Sequence, residues 1–234
     1  MYTAAGAGAD VVFIDLEHNL TSAETVFDLI SHAHGAGISA LVRPPQIDYA
    51  WITRLLDGGC QSLLVPHIQR RDEVEQLVEY ACYQPTGHRG VALVGGVNMG
   101  YQGGAAPVEV MRTANENLLL GLVIETPDAV EHLDDLLLPE IGLLVVGRGD
   151  LAHAYGYPGA TNHDAVVSAV EHVRAACLRR GIAYGVFEPH LRRVPDEVRG
   201  GAQLVVHGGV FAYIRNSITE FRDAAASASS DDRA

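Results

Sequence analysis

Two length scales govern the apolar positions of this chain. Short apolar runs occupy 11–14, 39–42, 62–65, 118–124, 142–146, 183–186 and 204–206, and between them apolar residues return every three or four positions. The first pattern is that of strands buried on both faces, the second that of helices covering them. The helical stretches carry start and stop signals. Thr21-x-x-Glu24 reads as a capping box for a helix to residue 34, closed by Gly35-Ala36-Gly37, and Asp48 caps a helix through Leu56. Further helices are expected over 71–81, 107–117, from Pro127, and over 163–180, 191–199 and 210–225, with a helical-looking 3–8 at the start. No tight hairpin joins two strand-like runs, so the order is βαβα. A stretch rich in Gly, Pro and polar residues from Tyr83 to Gly104 breaks the rhythm, and loops of about twenty residues are usually lids or binding segments.

Seven such strands fit one domain over 1–226, followed by a small, polar tail over 227–234 expected to be disordered. A TIM (β/α)8-type barrel needs eight strands, so the candidates are a barrel lacking its first strand and an open doubly wound sheet. The polar residues favour the barrel. Asp15, Glu17, His18, Arg43, His67, Glu125, Asp150, Glu188 and His207 all fall at or just beyond the carboxyl end of a strand, and a barrel gathers every such end onto one face.

Composition narrows the chemistry. The chain of 234 residues is 48% hydrophobic with a net charge of −13, which argues against nucleic acid as a partner and leaves small molecules or proteins. No apolar run is long enough to span a membrane and no signal peptide is visible, so a cytoplasmic location is expected. Cys60, Cys82 and Cys177 are odd in number and widely spaced, as expected of buried thiols. All 16 basic residues are Arg. Without Lys, Schiff-base catalysis, pyridoxal phosphate attachment and a phosphate-loop Lys are excluded. Any enolate must then be stabilised by a metal, by Arg or by backbone donors.

Glu125 and Asp150 end neighbouring strands, and two oxygen ligands with room for water and substrate suit Mg2+ or Mn2+. The structural alternative is that Glu125 pairs with an Arg and Asp150 caps a turn. Trp51, Ile52 and Leu55 on one helix, and Val210, Phe211, Tyr213 and Ile214 on the last, offer more apolar surface than such a barrel covers, so an oligomer is expected.

Asp15-x-Glu17-His18, Val42-Arg43-Pro44, Leu63-Leu64-Val65-Pro66, Pro85-x-Gly87-x-Arg89-Gly90, Ile124-Glu125-Thr126, and Gly147-x-x-Asp150-Leu151-Ala152 with Gly156-Tyr157-Pro158-Gly159 resemble, in order and spacing, the HpcH/HpaI family of metal-dependent aldolases over about residues 7–215. The resemblance implies a (β/α)8 barrel, assembled as trimers or dimers of trimers, that makes or breaks a carbon–carbon bond through a pyruvate enolate on a divalent metal, Mg2+ or Mn2+ with Co2+ as a further option. By the same resemblance, Glu125 and Asp150 hold the metal and Arg43 steadies the enolate oxygen. His18, oriented by Asp15, is the general base acting through a metal-bound water, and the turn Gly149-Asp150-Leu151 takes the substrate carboxylate. The implied substrates are a 2-oxo acid and a short aldehyde, joined as a 2-oxo-4-hydroxy acid. The chain departs from the family pattern at Val123, where Gln is usual, at Arg148, where Pro is usual, and at Val210, where Asp is usual. The alternatives are condensation onto another 2-oxo acid, decarboxylation of oxaloacetate, and a non-catalytic barrel that binds a 2-oxo acid.

Overall fold

The structure, a computed structural model, describes residues 1–92 and 107–231, the side chains of 228–231 excepted. In chain order the elements are α1 (Tyr2–Gly6), β1 (Val11–Asp15), α2 (Ala23–Gly35), β2 (Ser39–Arg43), α3 (Tyr49–Asp57), β3 (Ser62–Val65), α4 (Arg71–Ala81), α5 (Pro107–Glu116), β4 (Leu119–Ile124), α6 (Pro127–Glu131), α7 (Leu133–Leu136), β5 (Ile141–Val146), α8 (Arg148–Ala154), α9 (Asp164–Arg180), β6 (Ala183–Phe187), α10 (Val194–Arg199), β7 (Leu204–Val206) and α11 (Val210–Asp231). The seven strands pair in parallel in the order of the chain, from β1 to β7. Together with the alternating helices they form a nearly closed barrel, a TIM-type barrel short of one strand. The Phe13 ring of β1 and the Phe187 ring of β6 meet across its interior at 5.4 Å.

Alternation along the strands divides the core in two. Leu41, Leu64, Val123, Leu143 and Val145 point into the lumen, with Phe13, Phe187 and Leu204 packed on them. Ile14, Val42, Leu63, Val65, Leu122, Ile124, Leu144 and Val146 point outward into the layer formed with the helices. This phase settles what the strand ends do. Asp15, Arg43 and Glu125 each stand two residues beyond a lumen residue, so they open into its mouth.

Helix starts follow the expected chemistry, with one shift. The N-cap of α2 is Ser22, whose hydroxyl accepts the Thr25 N–H at 3.3 Å, rather than Thr21 one residue earlier. At α3, Asp48 accepts the Trp51 N–H at 2.9 Å. Ile52 and Leu55 are buried in the core within this chain, so the surface expected there for a neighbour is reduced to Trp51, itself partly covered. The last helix runs to Asp231, past Ser227 where its composition suggests a disordered tail. The expected loop over 83–104 lies outside the described residues beyond residue 92. Its first part is anchored by Arg89, whose guanidinium meets Asp57 at 2.6 Å and lies 4.5 Å from the Tyr83 ring centre. The three thiols are free and buried, and burial pushes Cys60 up to about 12. Among the described residues no helix is long and apolar enough to cross a membrane.

Candidate active site

Asp15 and Arg43 are partners in the register of β1 and β2, which places carboxylate and guanidinium side by side at the barrel mouth. They form a bidentate pair, Nε to Oδ1 at 2.9 Å and Nη2 to Oδ2 at 2.8 Å. The remaining guanidinium nitrogen, Nη1, reaches Glu17 Oε2 at 2.7 Å. Burial opposes charge on both partners of the bidentate pair, but the mutual hydrogen bonds and Coulomb attraction outweigh it. Asp15 is lowered below its ordinary value, and Arg43 is raised by Asp15, Glu17 and Glu125 together. The guanidinium also lies 5.5 Å and 5.8 Å from the Phe13 and Phe187 ring centres, which close the lumen beneath it.

Glu125 is only 3% exposed. Its Oε1 accepts the backbone N–H of His67 at 2.7 Å, and its Oε2 lies on the side of Gly147, where a Cβ would come within 3.1 Å of it. That same Cβ would stand 2.8 Å from Glu125 Cβ, so the close approach of the β5 end to Glu125 requires glycine there. Asp150 sits three residues on, in the first turn of α8. Burial pushes the Glu125 carboxyl up, and the neighbouring charges of Glu17 and Asp150 add to the shift. Val123, directly below Glu125 in the lumen, makes the floor apolar and contributes to that burial.

His67 is the member that the residue pattern undervalues. Its imidazole bridges the two buried carboxylates, Nε2 at 2.7 Å from Glu17 Oε1 and Nδ1 at 3.2 Å from Glu125 Oε1. Glu17, whose role the motif leaves open, is therefore the hub of the mouth, touching Arg43 and His67 and lying 3.5 Å from His18 Nε2. The His18 ring is 64% exposed, free to meet a ligand. Asp15 meets His18 through the backbone, since the His18 N–H is among the groups that lower the Asp15 carboxyl, alongside Arg43 and the Glu17 N–H, while Glu17 is the carboxylate beside the His18 ring.

The other expected residues divide. Gly149 has open space where a side chain would be. Leu151 does not belong to a ligand-binding turn: its N–H is bonded to the Gly147 carbonyl at 2.9 Å and its side chain is wholly buried in the core. Glu188 points away from the mouth, bonded through Oε1 to the His190 N–H and facing Arg193 at 3.3 Å, and His207 Nδ1 lies 2.7 Å from the Glu188 carbonyl oxygen. Arg148 also turns outward, to Glu197 at 2.7 Å, so its departure from the family pattern does not intrude on the mouth.

The family model for the HpcH/HpaI aldolase/citrate lyase family matches residues 1–212. The chain belongs to this family. It is similar to a pyruvate aldolase of Rhizobium etli, 33% identical over 79% of this chain and 72% of the relative. It is also similar to a hydroxypyruvate/pyruvate aldolase of Sagittula stellata, 29% identical over 86% and 78%. Among solved structures, an HpcH/HpaI aldolase from Desulfitobacterium hafniense superposes with a TM-score of 0.88 at 30% identity, covering 95% of this chain and 85% of that one. The protein is thus an enzyme of the aldolase type, a lyase acting on small molecules.

Proposed function

We propose that this HpcH/HpaI enzyme is a divalent-metal-dependent pyruvate aldolase that cleaves or forms a 2-oxo-4-hydroxy acid between a pyruvate enolate and a short aldehyde. The observation that carries the reading is the buried Glu125 carboxylate, pushed up by burial and by Glu17 and Asp150, with its Oε2 on the side of the turn that bears Asp150. Carboxylates crowded in this way favour a cation among them. Among the described residues no three His, Cys, Asp or Glu groups are arranged to enclose a metal ion. Two protein oxygens with open positions for water and substrate are what Mg2+ or Mn2+ accepts, and Co2+ tolerates the same donors.

A divalent cation held by Glu125 and Asp150 would supply Lewis-acid stabilisation of charge developing on the 2-oxo oxygen. Arg43, fixed on two sides by Asp15 and Glu17, presents a permanent cation to that oxygen without reorganising. In cleavage, His18 takes the proton of the 4-hydroxyl group as the C3–C4 bond breaks. The aldehyde leaves, and the electron pair stays on the enolate until the protonated His18 ring returns its proton to C3. In synthesis the same ring works in the opposite direction. The N–H groups of Gly149 and Asp150 take the substrate carboxylate.

Proton exchange of the pyruvate methyl group in D2O, followed by NMR with Mn2+ present, tests the enolising step without knowledge of the aldehyde. Wild-type exchange well above the metal-only control is expected, with a loss of about two to four orders of magnitude in His18→Gln. No exchange above the control would overturn the reading, and equal exchange by His18→Gln would remove His18 as the base.

The α11 face supports assembly. Phe211, Ile218 and Phe221 are 85%, 62% and 76% exposed along one side of a helix, a large apolar strip for a free surface. We infer a homo-oligomer, a trimer or dimer of trimers, with α11 packed on a neighbouring copy. A monomeric mass in light scattering at micromolar concentration would refute it.

A further inference from the structure

We propose that His67 is a positioning residue for the metal site: its left-handed backbone lets its N–H stay on Oε1 of Glu125 as the chain turns, so that Oε2 is the oxygen presented on the Asp150 side. The inference rests on Glu125 being a metal ligand, as argued above. Among the described residues His67 is the one non-glycine with positive φ, at 59°. Such a backbone is uncommon for a residue with a side chain and persists where surrounding contacts over-determine it.

The strand phase shows what the turn accomplishes. Leu64 faces the lumen, so continued alternation would send Pro66 inward and His67 outward, away from the mouth. The left-handed turn brings residue 67 back. Its N–H lies 2.7 Å from Glu125 Oε1, and its ring spans Glu125 and Glu17. With Oε1 tied to an amide that no side chain can replace, the carboxylate is held in one orientation. Oε2 is left beside Gly147 at the start of α8. Groups that orient a metal ligand in this way are typically worth about 10–100-fold in metal affinity.

Two substitutions separate the backbone of His67 from its ring. His67→Gly deletes the imidazole but favours the left-handed turn and keeps the N–H, whereas His67→Val deletes the imidazole and disfavours the turn. Mn2+ dissociation constants, measured by EPR titration on the full chain without substrate, are expected to stay within about 3-fold of wild type for His67→Gly and to weaken by about 10–100-fold for His67→Val. Thermal melts of the metal-free proteins check that each variant is folded. Should His67→Val fail to fold, His67→Ala, a milder disturbance of the same turn, takes its place. Equal loss in the Gly and Val variants would assign the effect to the ring, and wild-type affinity in both would assign it to neither; each overturns the proposal while leaving the metal reading intact. A wild-type protein that binds no Mn2+ would instead overturn the metal reading itself.

Discussion

The two halves of the barrel mouth are built from the same kinds of residue and do different things with them. Around β1 to β4, Asp15, Glu17, Arg43, His67 and Glu125 form one continuous network at the top of the lumen. Around β5 to β7, Arg148, Arg174, Glu188, Arg193 and Glu197 form another, with Arg in the majority, between the barrel and its outer helices. The difference is one residue of phase. Asp15 and Glu125 share the parity of Phe13 and Val123, which line the lumen, whereas Glu188 follows the lumen residue Phe187 directly and turns the other way. A carboxylate that directly continues a strand is therefore a candidate for chemistry only when it continues the inward set, whereas Asp150 is brought beside Glu125 by the turn into α8. One that falls out of phase becomes part of the scaffold.

Removing a carboxylate from the inner network has the largest expected effect. Glu125→Ala and Asp150→Ala are each expected to abolish Mn2+ binding and pyruvate proton exchange while leaving the melting temperature of the metal-free protein close to wild type. For Glu125 the fold survives because the residue lost is a buried acid among other acids, one whose ionisation burial already opposes. Activity retained by either variant after metal stripping and reloading would place the metal elsewhere.

The outer network should respond in the opposite sense. Glu197 is buried and receives Arg148 at 2.7 Å and Arg174 at 3.4 Å. Glu197→Ala leaves two guanidinium groups facing each other with no carboxylate between them. Breaking a buried pair from one side costs about 3 kcal/mol or more, and for a chain of this size that lowers the melting temperature by roughly 6–12 °C. Proton exchange at saturating metal should remain within about 2-fold of wild type. A loss of exchange larger than the loss of folded protein would mean that the two networks are coupled through α8.

The strands and the residues that close them are legible in the sequence, although it places Glu188 on the same face as Asp15 and Glu125. The apolar runs locate every strand to within a residue or two, and the residues that close them name Asp15, Arg43 and Glu125, because a buried parallel strand has no other place for polar groups. What was not legible depends on backbone conformation or on contacts distant in sequence. His67 reaches the mouth through a positive φ that no pattern of residue types announces. The pairing of Arg148 with Glu197, 49 residues apart, needs the packing of α10 against the α8 turn. Glu17 stood in the motif, but its place as the link between Arg43 and His67 emerges only when three strand ends meet. Leu151 looked like part of an anion-binding turn because it follows Asp150, yet the second turn of a helix already has its N–H groups bonded.

The smallest expected effect distinguishes the inner network by its response to pH. Arg43 holds the Asp15 carboxyl below its ordinary value of 3.8 despite the burial that pushes it up. The unfolded chain therefore binds a proton at Asp15 more readily than the folded one. The stability contributed by this pair is fully present above the unfolded value and fades as pH falls through the lower, folded value. In Asp15→Asn the contribution is absent at every pH. The gap in unfolding free energy between wild type and Asp15→Asn is expected to be about 1.5–3 kcal/mol near neutrality, as for hydrogen bonds to charged groups, and to narrow from about pH 4 downward. Denaturant melts of both proteins across that range measure it. A gap that stays constant would show that Asp15 contributes through shape alone, and that the Arg43 guanidinium is held in place by Glu17.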